Sequence, residues 1–176
     1  MNQTIETILK RKGTMSYSAE QIRDEDLNLI LEAGISAPTA RNNQNRHFTA
    51  VQNKEILQQI DSETFKLMPS VPPGYHPLYQ APTVIVVTAP ADYFYADQDC
   101  AIAVENMSIA ATSLGLGSRY LLSPIHFFEH ETGSRIKKEI GIPEGHRTIA
   151  CLIMGYDANP NREPTARNKN VVNYVK

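Results

Sequence analysis

Three regions of the sequence combine side chains that could hold a flat, anionic ligand. The first is a run of three cations ending in a glycine, residues 10–13. The second is a loop of amide and hydroxyl side chains, residues 39–44, and the third is a pair of cations, Arg167 and Lys169. Guanidinium and ammonium groups bind phosphate, and amides make directional hydrogen bonds to the edge of a heterocycle.

Taken one at a time, each region also has a purely structural interpretation. Cations in the last turn of a helix complement the helix dipole, and residues 10–12 close a predicted helix. Residues 39–44 follow Pro38 and could simply cap a helix, while the tail cations could be solvated surface charges. The three regions therefore predict a binding site only as a set.

Hydrophobic periodicity predicts the elements that position these regions. Apolar residues recur at helical spacing before Gly13 and Pro38, and Asp24 and Asn53 have the side chains of helix N-caps. Helices are predicted over residues 3–12, 24–36, from 53 onward, 98–115 and 132–140, and strands over residues 47–52, 83–89, 119–123 and 148–156. This mixed order is typical of an α+β domain with one small sheet.

Three further segments carry expectations of their own. Residues 68–82 contain five prolines, which predicts an irregular stretch that could cover an active site. Residues 98–115 are apolar almost all round, which predicts a buried helix in a core shared between subunits. Residues 157–176 are polar and have no core of their own, so they are disordered or lie on another surface, such as a partner subunit.

Length and charge restrict the class of protein. The 176 residues suit one domain, residues 1–176, and 17 Lys and Arg against 19 Asp and Glu give a formal charge of −2. That balance argues against nucleic-acid binding. Cys100 and Cys151 lie in apolar runs and predict buried thiols rather than a disulfide. No signal-peptide core or membrane-length apolar run is present, which predicts a soluble, cytoplasmic protein.

Two other patterns predict no site. Gly115 and Gly117 begin a glycine-rich motif, but Tyr120 stands where a dinucleotide fingerprint needs the third glycine, and the motif follows a helix. His126 and His130 could share a helical face, but no third metal ligand accompanies them. We therefore expect no metal.

In their order and spacing, the segments resemble the nitroreductase family. RKGTMSYS is similar to its Arg-Arg-Ser-x-Arg-x-Phe/Tyr segment, and APTARNNQNRHF to Ala-Pro-Ser-x-x-Asn-x-Gln-Pro-Trp-x-Phe. LGLGS and GIPEGHRTIACLIMGYDAN continue the resemblance, which covers nearly the whole chain. It implies an α+β fold with a small central, mainly antiparallel sheet flanked by helices. It also implies an intertwined homodimer that binds FMN, with residues 157–176 on the partner subunit.

The resemblance also implies which residues bind FMN. Arg11 and the tail cations correspond to phosphate ligands, residues 38–44 to a loop on the isoalloxazine, and residues 121–125 to a wall beneath the ring. The implied set is Arg11, Lys12, Gly13, Met15, Pro38, Thr39, Asn42, Gln44, Leu121, Leu122, Ser123, Pro124, Arg167 and Lys169. No catalytic side chain is implied, since the cofactor performs the redox chemistry.

The implied activity is ping-pong hydride transfer from NAD(P)H to FMN and then to a nitroaromatic or quinone-type acceptor. Four positions depart from the family pattern, namely Gly13, Met15, Asn45 and Arg46. They keep open a non-catalytic FMN carrier or sensor, or a scaffold without flavin. An enzyme of flavin breakdown or reductive dehalogenation is a further alternative.

Overall fold

Four strands form one antiparallel sheet with helices on both faces. The computed structural model describes residues 2–176. Its elements in chain order are α1 Gln3–Lys10, α2 Asp24–Ile35, β1 His47–Val51, α3 Lys54–Lys66, β2 Thr83–Pro90, α4 Ala96–Ser113, β3 Gly117–Leu121, α5 Ser123–Phe128, α6 Ser134–Glu139 and β4 His146–Gly155. Short 3-10 turns occupy Ala40–Asn42 and Glu131–Gly133. The predicted fold class is confirmed.

The strand order is β1-β2-β4-β3, and each neighbouring pair is antiparallel. β2 and β4 are central and buried along almost their whole length, as their continuous apolar sequences predict. A register shift between Val87 and Thr88 interrupts their pairing. β3 lies at one edge, where Gly117 pairs with Gly155 and Leu121 with Cys151.

The core has two halves, one on each face of the sheet. On one face, α2 and α4 cover side chains such as Ile85 and Leu152, and Met107 of α4 is fully buried. On the other face, α3, α5 and α6 bury alternate residues such as Val86 and Ile153. Alternate side chains of β2 and β4 thus pack into the two halves of the core, and this alternation fixes the register of the sheet.

Several predicted boundaries were wrong. The helix predicted over 132–140 is a 3-10 turn followed by α6, and α5 precedes both. The strand predicted over 119–123 is β3, which starts at Gly117 and gives way to α5 at Ser123. Arg23, not Asp24, is the N-cap residue of α2, and it makes no side-chain cap bond. Asn53 does cap α3, because its side-chain oxygen Oδ1 accepts a hydrogen bond from the N–H of Ile56 at 3.1 Å.

Helix α4 is buried on the side that packs against α2 and the sheet of the same chain. Cys100, Val104 and Met107 are buried, whereas Ala101 is exposed and Ile102 is 43% exposed. In one chain this helix is therefore buried on one side only, and the core shared between subunits stays a prediction, for which Ile102 leaves an exposed apolar side chain.

Residues 68–82 form no helix or strand, as their prolines predict. The chain after β4 first folds back beside the N-terminal region, and residues 165–176 are then exposed throughout. Val171 and Val175 are among their exposed apolar side chains, at 70% and 99%. Within residues 2–176, none of the helices has the length and apolarity to traverse a lipid bilayer.

Candidate functional site

Residues 11–18, named here the basic segment, are held mainly through their backbone. The N–H of Thr14 donates to the carbonyl of Ser118 in β3 at 2.9 Å, and the N–H of Ser18 donates to the carbonyl of Tyr156 at 2.9 Å. The segment therefore adds a short irregular strand to the β3 edge and to the chain leaving β4.

Lys12 binds the start of the tail rather than projecting into solvent. Its ammonium donates to the carbonyl oxygens of Pro160 and Arg162, each at 2.7 Å. It also lies 3.4 Å from a carboxylate oxygen of Asp157. With these contacts Lys12 fixes the turn at 157–162, so a phosphate would compete with three protein oxygens for this ammonium.

Arg11 and Gly13 keep their hydrogen-bond donors available. Within residues 2–176, the guanidinium of Arg11 pairs only with Glu105 of α4, at 3.3 Å, and that carboxylate is itself 55% exposed. Among residues 2–176, the N–H of Gly13 meets no acceptor. A strong anion could therefore bind Arg11, and a carbonyl oxygen could bind Gly13, at little cost in existing contacts.

The guanidinium of Arg119 lies directly behind Gly13. Its Nη1 atom is 3.5 Å from the position that a Cβ at Gly13 would occupy. Its central carbon lies 4.8 Å from the centre of the Tyr79 ring. The hydroxyl of Tyr79 in turn accepts a hydrogen bond from the hydroxyl of Tyr75 at 3.0 Å. These aromatic residues come from the proline-rich stretch, which is thereby brought beside the basic segment.

Residues 38–46, named here the amide loop, are held by a buried carboxylate of α4. Asp99 is 4% exposed, and both of its carboxylate oxygens accept from the N–H of Ala40 at 3.1 Å. One of them also accepts from the hydroxyl of Tyr93 at 2.6 Å. That hydrogen bond raises the pKa of Tyr93, and the burial of the phenol raises it further but by less.

Arg46 is the second anchor of the amide loop. Its guanidinium donates to the carbonyl of Ala37 at 2.7 Å and to that of Asp99 at 3.0 Å, with weaker bonds to Pro38 and Ile35. The carbonyls of Ile35, Ala37 and Pro38 lie at or just beyond the end of α2, where a cation complements the helix dipole, and that of Asp99 belongs to α4. Arg46 therefore has a structural role in this chain.

The tip of the amide loop presents side chains to solvent in a strained backbone. Arg41, Asn42 and Gln44 have φ between 54° and 55°. The amide of Gln44 donates to the side-chain oxygen of Asn42 at 3.0 Å, and the hydroxyl of Thr39 accepts from the N–H of Gln44 at 3.1 Å. Such strain persists where surrounding contacts impose it, as Asp99 and Arg46 do here.

The predicted wall of residues 121–124 is only partly a surface. Leu121 and Pro124 are buried in the core, whereas Leu122 is 53% exposed. Ser123 begins α5 and is half-buried. Met15, on the basic segment, is 50% exposed. Leu122 and Met15 are thus the apolar side chains that a flat ring could contact.

The structure does not bring all predicted residues together. No hydrogen bond or ion pair within residues 2–176 joins the basic segment to the amide loop, and Asp99 and Glu105 hold them at different turns of α4. Arg167 and Lys169 are fully outside the domain body, on the exposed tail.

No group of three or more His, Cys, Asp or Glu side chains in the described part of the chain could hold a metal. His126 is exposed on α5. The ring nitrogen of His130 accepts from the N–H of Thr132 and caps the following 3-10 turn.

Sequence reasoning missed Asp99, Arg119 and Tyr79. Asp97 and Asp99 both lie in this largely apolar helix, and the helical spacing of Asp99 with Ala96 and Ala103 is a signal that could have revealed it, since a buried carboxylate needs partners. Arg119 lies two residues before the buried Leu121, on the same face of a short strand, and nothing in its spacing points to Gly13.

Comparison with known proteins decides the family. The sequence profile described as the nitroreductase family matches residues 8–156. The chain belongs to the nitroreductase family. A relative from Archaeoglobus fulgidus, named as a candidate NADH dehydrogenase/NAD(P)H nitroreductase, is 34% identical over 164 residues, which are 89% of this chain and 86% of the relative. A Vibrio harveyi NADPH-flavin oxidoreductase is 25% identical over 173 residues, covering 93% and 70% of the two chains.

Solved nitroreductases superpose on the full length of this family member. The Bacteroides fragilis nitroreductase, determined with bound FMN, has a TM-score of 0.93 and 29% identity, with complete coverage of both chains. The Desulfitobacterium hafniense nitroreductase, also with bound FMN, has a TM-score of 0.92 and 29% identity, again with complete coverage of both chains.

Proposed function

We propose that this nitroreductase-family protein is an FMN-dependent oxidoreductase. It oxidises NAD(P)H and, in a second half-reaction at the same site, reduces a nitroaromatic or quinone-type acceptor. The observation that carries this proposal is the full-length superposition on two nitroreductases that contain FMN. Bound FMN would supply the hydride chemistry, and the protein would bind, orient and enclose it.

The donors of the basic segment fit such a cofactor. A phosphate carries close to two negative charges and suits Arg11, which is paired with a half-exposed carboxylate. The unpaired N–H of Gly13 suits a carbonyl oxygen at the edge of the isoalloxazine. The exposed apolar side chains of Met15 and Leu122 suit the faces of a flat aromatic ring.

A homodimer would complete this site. Within residues 2–176, no hydrogen bond or ion pair joins the amide loop to the basic segment, and Arg167 and Lys169 are exposed on the tail. In a dimer, residues 38–44 and the tail cations of the partner subunit could reach the cofactor held by residues 11–15. Exposed apolar side chains on α1, including Leu9 at 61%, and Ile102 on α4 offer area for such an interface.

The test is an anaerobic visible spectrum of the purified protein with FMN, taken before and after NADH and then NADPH. Bleaching of bound FMN, and its recovery on adding a nitroaromatic or a quinone, is the expected result. Tight binding without bleaching would instead indicate an FMN carrier or sensor. Absence of FMN binding would indicate a protein scaffold that works without flavin.

Two matched variants test whether Arg11 binds the FMN phosphate. R11Q should weaken FMN affinity about tenfold to a hundredfold, because a charge-assisted hydrogen bond contributes about 1.5–3 kcal/mol. R135Q removes an exposed guanidinium from α6 and should leave the affinity unchanged. Equal FMN affinities of R11Q and R135Q would show that Arg11 does not bind the phosphate.

Light scattering tests the dimer. The full chain should elute as a dimer, and a chain ending at residue 164 should show weaker FMN binding because it lacks Arg167 and Lys169. A stable monomer that still binds FMN tightly would rule out the shared site.

A further inference from the structure

Arg119 is a half-buried cation without a protein acceptor. Within residues 2–176 its guanidinium makes no hydrogen bond and no ion pair, although it offers five N–H donors. Its nitrogens are not among the buried polar atoms that lack partners, so they reach solvent. A guanidinium placed in this way is available to a ligand.

The surrounding residues fix this guanidinium instead of neutralising it. It stacks on Tyr79, and Tyr79 and Gln80 hold consecutive left-handed conformations with φ of 52° and 57°. Two strained non-glycine residues in sequence cost about 1 kcal/mol or more each, so the position of the ring is imposed by its neighbours. The Tyr79 ring, named here the platform, is therefore a rigid support for the guanidinium of Arg119.

No negative charge on the nearby side chains is free to pair with Arg119. Burial raises the pKa of Tyr17, and burial raises the pKa of Tyr75 to about 12, so both phenols stay neutral at pH 7. The carboxylate of Asp157 lies against Lys12, and that of Asp61 accepts from the N–H of Leu78 and contacts a histidine nitrogen.

Gly13 connects Arg119 to the proposed cofactor site. Its free N–H and the Nη1 atom of Arg119 belong to the same small region, since a Cβ at Gly13 would lie 3.5 Å from that nitrogen. The rest of the basic segment beyond Lys12 brings no positive charge, because Met15 is apolar. Arg162 also approaches this segment, but its guanidinium donates to the carbonyl of Gly13, whereas that of Arg119 has no acceptor within residues 2–176 and stays available to the isoalloxazine.

We propose that Arg119 is a positioning cation of the FMN site, which stabilises the negative charge that the isoalloxazine carries when reduced. This rests on the proposed function. A hydride brings two electrons and one proton from NAD(P)H, so the reduced ring carries one more negative charge than the oxidised ring. A fixed cation in a low-dielectric wall favours the reduced form, and charge near the ring tunes its potential.

The midpoint potential of bound FMN tests the proposal without reference to activity. R119Q should lower the preference for reduced over oxidised FMN about tenfold, which is about 30 mV for two electrons. R147Q is the matched control: it removes the same charge from the start of β4, roughly 20 Å along the strand from the partner of Arg119. It should leave the potential unchanged.

Substitutions of the platform give an independent test if R119Q does not fold. Y79L removes the ring beneath the guanidinium and should lower the same preference about threefold, whereas Y79F keeps the ring and should match the wild type. Unchanged potentials in R119Q, or in Y79L, would overturn the role of Arg119. A wild-type protein that binds FMN separates that result from failure of the proposed function, which would appear as no FMN binding at all.

Discussion

The basic segment is held mainly by its backbone, whereas the amide loop is held mainly by two charged side chains. In the first, Thr14 and Ser18 extend the pairing of the sheet. In the second, Asp99 and Arg46 bind backbone groups of a strained turn. Backbone pairing tolerates changes of side chain, so the basic segment can vary in sequence. The amide loop depends on single residues, and point substitutions should affect it more strongly.

The largest effect is expected from D99A. Loss of this carboxylate leaves the N–H of Ala40 and the hydroxyl of Tyr93 without acceptors, which should cost about 2–4 kcal/mol of unfolding free energy. D97A is the matched control two residues away, since Asp97 is 65% exposed in its pair with Arg147 and should contribute less than about 1 kcal/mol. Urea unfolding measures both, and equal losses would contradict the distinction between the two regions.

The next effect concerns the close approach of the basic segment to β3. A Cβ at Gly117 would lie 2.5 Å from the hydroxyl oxygen of Thr14, so G117A should cost about 1–3 kcal/mol. T14A removes that oxygen and the nearby methyl group, so the G117A substitution should cost much less in a T14A background. A double-mutant cycle by denaturant unfolding measures the coupling, and additive costs would refute the clash.

A smaller effect is expected where the basic segment uses a side chain. K12M removes the ammonium that binds Pro160 and Arg162, and should cost about 1–2 kcal/mol. Hydrogen exchange should become faster in residues 157–162. K10M, on the exposed end of α1, should change neither quantity, and similar behaviour of the two variants would show that Lys12 does not fix the tail.

The smallest effect is a pH dependence in the amide loop. The hydrogen bond to Asp99 raises the pKa of Tyr93, so the protonated phenol stabilises the folded state. This contribution is complete below the ordinary tyrosine pKa near 10 and is lost as pH rises through the higher folded value. Wild type should exceed Y93F in unfolding free energy at pH about 8, and the difference should shrink by pH about 11. A difference independent of pH, or an equal trend in Y95F, would contradict this assignment.

The sequence was sufficient to predict the sheet, because β2 and β4 are long apolar runs buried on both faces. Short elements were harder: α5, with only six residues, has too few turns for a clear helical period. The cap of α3 followed from Asn53, whereas α2 starts at Asp24 as predicted but has Arg23 at the N-cap position, without a side-chain cap bond.

For the site, local composition pointed to Arg11, Gly13 and Asn42, but it could not reveal what each side chain binds. Lys12 is engaged by a turn about 150 positions along the chain, and Arg119 reaches Gly13 only through the register of β3. Contacts of this kind depend on tertiary packing, which periodicity and motif spacing do not encode.

The pairing of Thr14 with Ser118 also protects the rim of the sheet. Without it, β3 would present an open row of N–H and C=O groups, the kind of rim on which other chains aggregate. The basic segment, which we propose binds the cofactor, also covers this edge, so its side chains can change during evolution but it cannot easily be shortened. Removal of residues 2–18 should therefore yield insoluble protein even in a background where cofactor binding has already been lost.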